Sequence, residues 1–302
     1  MVGTVYKSTG SWYKVKLENG IFIDCRLLGK FREKNIKSTN PVCVGDVVKL
    51  NNNKNTPQIE FILERKNYLI RKSVKLSKQF HIIASNIDIC FLIITVKNPE
   101  TSTMFIDRFL ASTFSYNIDT VLLFNKVDDI SDKEENTLKT FLATYKSAGY
   151  DCLKISGKKG INIDKLKLIM KGKSCVFSGH SGVGKSTLIN RLDSKINTKT
   201  LPISKSNLSG QHTTTFSEMY DLEFGSRIID TPGIKGFGLF DVSNFELKDF
   251  FKEFICVEQC KFNNCLHYNE PGCNVKILVE NGSISRSRYD NYIQLLEEIQ
   301  NS

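Results

Sequence analysis

No apolar run in the 302 residues approaches the roughly 20 that a membrane-spanning helix needs. The longest, Ile87 to Val96, is interrupted by Asp88 and reads as a buried strand. The N-terminus lacks the basic head, apolar stretch and small-residue cleavage site of a secretory signal. Internal repeats and long low-complexity segments are absent as well. The expectation is a cytoplasmic protein without a membrane role. Nothing indicates a homo-oligomer, so a monomer is the default. Acidic residues are in short supply, 32 against 42 Lys+Arg, for a formal net charge of +10. That excess favours an anionic partner, of which nucleic acid is the commonest. The chain is also rich in Lys, Asn and Ile, as an AT-rich genome would produce, so charge alone does not fix the partner. Hydrophobic residues at 40% and charged residues at 25% are an ordinary soluble balance, with length enough for two or three domains.

The nine cysteines are an odd number. Cys25, Cys43, Cys90, Cys152 and Cys175 are scattered singly, mostly in apolar runs, and read as small core residues of a reducing compartment. The other four crowd between Cys256 and Cys273. Within that stretch Cys260-x₄-Cys265-x-His267-x₅-Cys273 offers three thiolates and one imidazole, the ligand set of a closed tetrahedral structural zinc site. Disulfides are the competing reading, and a reducing compartment disfavours them. Cys256 is a rival ligand, but it sits in Phe254-Ile-Cys-Val, an apolar run, and reads as core.

Three regions differ in pattern. Up to about residue 66, short strands at Val2–Val5, Trp12–Leu17, Ile21–Leu27, Val44–Leu50 and Ile59–Arg65 alternate with turns. Five strands in so few residues predict a small barrel of OB type, an architecture that often binds oligonucleotides. Residues 67–236 alternate strand and helix and predict an α/β layer with a mainly parallel sheet, its ligands at the carboxyl ends of the strands. The expected strands are Ile87–Val96, Thr120–Phe124, Cys152–Ile155, Lys173–Ser178 and Arg227–Ile229. Helices are expected at Met104–Tyr116, Ser131–Ala148, Ile163–Met170 and Lys185–Leu192. Residues 237–302 predict a small helical zinc-binding domain ending in a helix near Arg286–Ile299.

Chemistry concentrates just after these strands. Gly179-His180-Ser181-Gly182-Val183-Gly184-Lys185-Ser186 fits G-x-x-x-x-G-K-[ST], with Thr187 following, and it lies between a strand and a helix. Glycines let the backbone curl its N–H groups toward phosphates, and the helix N-terminus adds partial positive charge. Lys185 is placed to neutralise the β- and γ-phosphates and Ser186 to ligate Mg²⁺. Asp230-Thr-Pro-Gly233 would hold Mg²⁺ through water at Asp230 and sense the γ-phosphate with the Gly233 amide. Asn125-Lys126-Val127-Asp128 matches a guanine reader. The Asp128 carboxylate accepts from N1–H and N2–H₂, which adenine cannot supply, so GTP is favoured over ATP. Asn125 orients loop and base, and the Lys126 stem packs over the ring. Ser156-Gly157 either backs the base with main-chain N–H groups or is a simple turn. Among Thr213 to Thr215, Thr214 is the choice for Mg²⁺ and the γ-phosphate, although spacing does not separate it from its neighbours.

The guanine-reading motif precedes the phosphate loop, the reverse of the usual order. The same site forms only if the chain is circularly permuted. The loop after Asp230 then runs straight into the cysteine-containing region, where nucleotide state could move that region as a lever. With Asn125–Asp128, Gly179–Thr187, Gly210-Gln-His-Thr-Thr-Thr215, Asp230–Gly233 and the Cys260–Cys273 cluster in this order, the whole chain resembles the ribosome-small-subunit-dependent GTPase family, RsgA or YjeQ. The resemblance implies a late-acting assembly factor of the small ribosomal subunit, whose GTP hydrolysis the subunit stimulates. It also implies zinc on Cys260, Cys265, His267 and Cys273. Ile234 stands where many GTPases carry a water-positioning glutamine, and by the resemblance His212 takes that task. A loop histidine that only meets solvent or RNA is the plainer alternative. Arg71, Lys72, Lys75 and Lys78 either touch ribosomal RNA or form a solvated face.

Two other functions compete. A GTP-switched RNA-binding module with incidental hydrolysis would bind RNA differently with GDP and GTP but show no stimulated turnover. A metabolic P-loop kinase would leave Asn125–Asp128 without a purpose.

Overall fold

The structure is a computed structural model describing residues 1–28, 41–51, 56–72, 80–196, 217–230, 242–255 and 257–301. In chain order the first strands are β1 (Val2–Ser8), β2 (Tyr13–Leu17), β3 (Phe22–Leu27), β4 (Val47–Asn51) and β5 (Gln58–Ile62), then a hairpin of β6 (Tyr68–Lys72) and β7 (Phe80–Ser85). The α/β part follows as β8 (Ile89–Ile94), α1 (Thr103–Ser115), β9 (Thr120–Phe124), α2 (Asp132–Ser147), β10 (Asp151–Lys154), α3 (Ile163–Met170), β11 (Ser174–Ser178), α4 (Lys185–Leu192), β12 (Glu218–Asp221) and β13 (Arg227–Asp230). The chain closes with α5 (Lys252–Ile255), α6 (Asn274–Glu280) and α7 (Arg286–Gln300).

Two compact units interleave along the sequence. The first comprises Met1–Cys90, Asp164–Ser178 and Ser186–Gly236; the second comprises Phe91–Ile163, Gly179–Lys185 and Phe237–Ser302.

In the first unit, β1 pairs with both β2 and β4, β2 with β3, β3 in parallel with β5, and β5 with β4. That circuit closes a five-stranded barrel. Alternation explains its interior: Tyr13 and Val15 on β2 point inward opposite Cys25 and Ile23 of β3, while Lys14 faces out opposite Asp24. Val5, Tyr13, Val15, Cys25, Val42, Val48, Leu50 and Ile59 form the core. Burial of each large apolar side chain there contributes about 1.5–3 kcal/mol. β5 stops at Ile62, short of the Arg65 expected from sequence. Arg65 leaves the ladder to bond buried Asp46 through Nε (2.6 Å) and Nη2 (2.7 Å). The same carboxylate accepts from the Ser85 hydroxyl (2.6 Å) and the Cys43 amide (2.9 Å). Beside it Gly45 has φ +95°, and an added Cβ would lie 2.1 Å from the Ser85 carbonyl oxygen, so only glycine fits. This knot fastens the barrel to the β6–β7 hairpin. The hairpin is not anticipated by the sequence, because the basic run from Arg71 to Lys78 hides its two short apolar segments. β12, also unanticipated, pairs antiparallel with β13 and meets β1 at Lys7↔Glu218. β13 runs in parallel with β11.

In the second unit β9 pairs in parallel with β10. β8 and β9 are buried along their whole length, the continuous apolar pattern of parallel strands covered on both faces. Ser102 caps α1 by accepting from the Phe105 amide, and Ser131 with Glu134 forms a capping box on α2. The C-terminal helices share one core with α1: Ala111 of α1 packs with Leu247, Phe251, Phe254, Val275, Tyr292 and Leu296. No helix among the described residues is long and apolar enough to cross a membrane.

Candidate functional site

The phosphate-loop sequence leaves β11 at Ser178 and enters α4 at Lys185. Gly179, Gly182 and Gly184 all have positive φ. At Gly184 (φ +93°) the reason is visible, since a Cβ would meet the Asn125 amide nitrogen at 2.5 Å. The Asn125 side chain occupies that room. Its Nδ2 donates to the Val183 carbonyl (2.8 Å), and its Oδ1 accepts from the Gly157 amide (3.1 Å). One buried side chain at the end of β9 therefore ties the glycine-rich loop to the Ser156-Gly157 turn. Lys126, in a left-handed conformation (φ +65°), donates to the carbonyls of Asn98 (2.5 Å) and Gly182 (2.7 Å). Lys185 donates to the Gly179 carbonyl (2.9 Å). His180 stacks on Phe105, ring centroids 3.8 Å apart. Sequence gave no signal for the Asn98 carbonyl or for Phe105, because neither residue type carries a recognisable motif.

Asp128 is half-buried, and the Ser156 hydroxyl hydrogen-bonded to it holds its carboxyl below the usual carboxylate range, aided by its own backbone amide and by Lys158 and Lys159. An ionised carboxylate is an acceptor pair for two donors on a planar ring edge. Ser156 also accepts from the Lys159 amide (2.9 Å) and is bridged to Ile161, so the segment is a closed turn as well as a neighbour of Asp128.

In the first unit Ser186 lies in the first turn of α4. Asp230 is the last residue of β13, one residue later in the strand than the sequence reading ended it, opposite Glu218 of β12. His212, Thr213, Thr214, Thr215, Gly233, Ile234 and Cys256 lie outside the described residues, as do Lys75 and Lys78.

The four C-terminal donors converge. Cys260 Sγ lies 3.6 Å from His267 Nδ1 and 3.9 Å from Cys273 Sγ; His267 Nδ1 lies 3.4 Å from Cys265 Sγ and 3.3 Å from Cys273 Sγ. A tetrahedron with metal–sulfur bonds of about 2.3 Å and a metal–nitrogen bond of about 2.05 Å has S···S edges of about 3.8 Å and S···N edges of about 3.6 Å. The four separations above fit that tetrahedron, all four donor atoms lie within 4.8 Å of one another, and the thiols are unpaired by disulfides. Three soft thiolates and an imidazole suit zinc. His267 holds a left-handed backbone (φ +57°), kept there by Tyr289 donating to its carbonyl (2.7 Å), while its own amide points at Cys265 Sγ (3.4 Å). Phe254 meets its ring edge-on at 5.6 Å. Among the other cysteines, Cys25, Cys43, Cys90 and Cys175 are buried and Cys152 half-buried; burial pushes the Cys25, Cys152 and Cys175 thiols up to about 12, which keeps them inert.

Motif order now defines a class. A guanine-reading turn after β9 lies upstream, in the sequence, of a phosphate loop between β11 and α4, and both follow the segment that forms the closed barrel; this is a circularly permuted P-loop GTPase. Residues 62–240 match the RsgA GTPase family and residues 2–58 the RsgA N-terminal domain. A protein of Christiangramia forsetii named small ribosomal subunit biogenesis GTPase RsgA is 55% identical over 302 residues, covering 98% of this chain and 96% of its own. The crystal structure of YjeQ from Thermotoga maritima superposes with a TM-score of 0.83 at 34% identity, covering 100% of this chain and 99% of its own. YloQ, described as a circularly permuted GTPase, gives a TM-score of 0.78 at 28% identity over 99% and 95% of the two chains. The chain belongs to the RsgA GTPase family and is a GTP-hydrolysing enzyme.

Proposed function

We propose that this chain binds the small ribosomal subunit and its rRNA and hydrolyses GTP during late subunit assembly, its activity stimulated by the subunit. It acts in the cytoplasm as a monomer, through a barrel of residues 1–66, a GTPase domain of 67–236 and a zinc domain of 237–302. The observation that carries the nucleotide assignment is Asn125, which bonds the Val183 carbonyl and the Gly157 amide at once. That side chain makes base reading and phosphate cradling parts of one rigid site. Guanine binds with N1–H and N2–H₂ on the Asp128 carboxylate, with Asn125, Lys126, Val127 and Ser156 around the ring. Gly179 to Thr187 wraps the phosphates, with Lys185 leaving the Gly179 carbonyl to neutralise them. Ser186 and Thr214, with Asp230 through water, are oxygen donors of the kind Mg²⁺ takes, and Gly233 senses the γ-phosphate. The bound Mg²⁺ supplies charge neutralisation at the β- and γ-phosphates. Hydrolysis needs a positioned water, and His212 is the residue for that task. Zinc at Cys260, Cys265, His267 and Cys273 is structural, since all four positions belong to the protein.

A second reading, a GTP-switched RNA-binding module, draws on the outer barrel face. Trp12 is exposed under Arg26 (4.1 Å to the ring centroid), and Phe22 under Lys14 (5.2 Å). Exposed rings among cations suit single-stranded RNA. GTP turnover with and without small ribosomal subunits, with a His212→Ala variant and an ATP control, separates the readings. Strong stimulation by subunits, absent with ATP and lost in the variant, is the expected result. Stimulation retained in the variant removes His212 from catalysis. GTP binding without stimulation selects the RNA-binding module.

A further inference from the structure

Helix α1 carries no nucleotide motif, yet three residues within four positions of it reach two different places in the second unit. Phe105 stacks on His180, the second residue of the phosphate loop, at 3.8 Å between centroids and 33° between planes. Asp107, fully buried, accepts from Arg288 Nη1 (2.7 Å) and Asn291 Nδ2 (2.6 Å), both on α7. Arg108 Nη2 donates to both carboxylate oxygens of Glu298, also on α7 (2.6 and 2.7 Å). Arg288 continues to Glu253 of α5 through Nε and Nη2 (2.7 and 2.8 Å). The contacts on the C-terminal side are charge-assisted, partly forked and partly buried, which fixes orientation as well as distance. The contact on the loop side is a single ring face.

We propose that α1 is a strut between the phosphate loop and the C-terminal region, with His180 as a positioning residue: Phe105 holds His180, and so the opening of the loop, in register with a helix that α7 grips. The proposal rests on reading Gly179–Ser186 as the phosphate loop. A phosphate entering that loop changes the setting of its backbone, and His180 transmits the change to Phe105. Because α7 grips the same helix, an altered α1 alters α7, and by linkage the state of α7 alters nucleotide affinity by the same factor. His180 acts through the loop backbone; it is not a catalytic residue.

The test has two arms, both on the full metal-loaded chain. In the first, GDP and GTP affinities are measured for Phe105→Ala, His180→Ala, the double variant, and His180→Phe, which keeps a stackable ring. An aromatic pair is worth about two- to tenfold in an equilibrium constant. Each alanine variant is expected to weaken binding by that factor, the double variant by no more than either single one, and His180→Phe is expected to restore it. Multiplicative losses in the double variant, or full affinity in Phe105→Ala, would overturn the pairing. In the second arm, hydrogen exchange of α7 is compared with and without saturating GDP. A nucleotide-dependent change in α7 that disappears in Phe105→Ala supports the strut. An α7 that ignores nucleotide, or responds equally in the variant, refutes it. If the parent chain binds neither nucleotide, the phosphate-loop reading itself fails, and that outcome is distinct from the others.

Discussion

Replacing Arg288 by methionine removes the cation that two buried carboxylates share. Arg288 is 1% exposed, Asp107 is fully buried, and the Glu253 side chain is 7% exposed. The arginine makes three hydrogen bonds to them and lies 4.8 Å from the Phe251 ring centroid. Breaking a buried pair by removing one partner costs about 3–5 kcal/mol, against about 0–1 kcal/mol for an exposed pair. The variant should therefore lose about 3–5 kcal/mol at pH 8. The pH dependence has a definite sign. Burial pushes the Asp107 carboxyl above its ordinary value, and Arg288 pulls against that. In the variant burial, the largest cause, is opposed only by neutral hydrogen-bond donors such as Asn291, so the carboxyl rises further. A carboxyl whose folded pKa is raised contributes stability at low pH that is lost as pH rises through that pKa. The deficit should thus shrink as pH falls from 8 toward 5. Adding Asp107→Asn and Glu253→Gln should recover part of the loss, because no uncompensated charge is then left inside. Urea unfolding followed by helix-band circular dichroism is the assay, since the single tryptophan, Trp12, lies in the barrel and reports the other unit. A loss below about 1 kcal/mol, or a deficit that grows toward pH 5, would refute the reasoning.

Asp128→Asn should weaken GTP binding by about 10- to 100-fold, the worth of a charged hydrogen-bonding partner, and leave ATP binding unchanged; titration with fluorescent nucleotides measures both. Because Ser156 holds the Asp128 carboxyl low, the ratio of GTP affinities between the parent and Asp128→Asn should stay flat as pH falls from 8 through 5, the titration of the γ-phosphate cancelling in that ratio, and a collapse of the ratio there would contradict the assignment. Cys265→Ser or a strong chelator should release one zinc per chain and loosen residues 257–301, read as faster hydrogen exchange, while Trp12 fluorescence stays native. Gly45→Ala should destabilise the first unit by more than about 1 kcal/mol, since its φ of +95° disfavours any side chain and the added Cβ meets the Ser85 carbonyl; thermal unfolding followed at Trp12 checks this.

Much of the fold is legible in the sequence because its signals are local. The apolar run Thr120–Phe124 and the periodic segments Ile163–Met170 and Lys185–Leu192 become elements with those same bounds, and the run expected from Lys173 to Ser178 becomes a strand from Ser174. A fully buried strand must be apolar throughout, and a helix must repeat its apolar face. Ligand chemistry is legible for the same kind of reason. Three thiolates and an imidazole in one short stretch can reach a common point once the chain turns, and Cys260, Cys265, His267 and Cys273 do converge. The reversed motif order was also readable without coordinates.

What the sequence left open are partners chosen across long separations. No motif marks Arg288 in the sequence; packing against α1, 181 residues earlier, makes it a buried cation. The β6–β7 hairpin is hidden by its charges until Asp46, Arg65, Gly45 and Ser85 come together. Asn125 is recognisable as part of a base-reading motif, but its bond to the Val183 carbonyl, 58 residues away, exists only in the folded chain. Periodicity and residue type are properties of neighbours along the chain and are written in the sequence itself. Which donor meets which acceptor depends on where the sheet order brings strand ends and helix faces together, and the tertiary structure alone decides that.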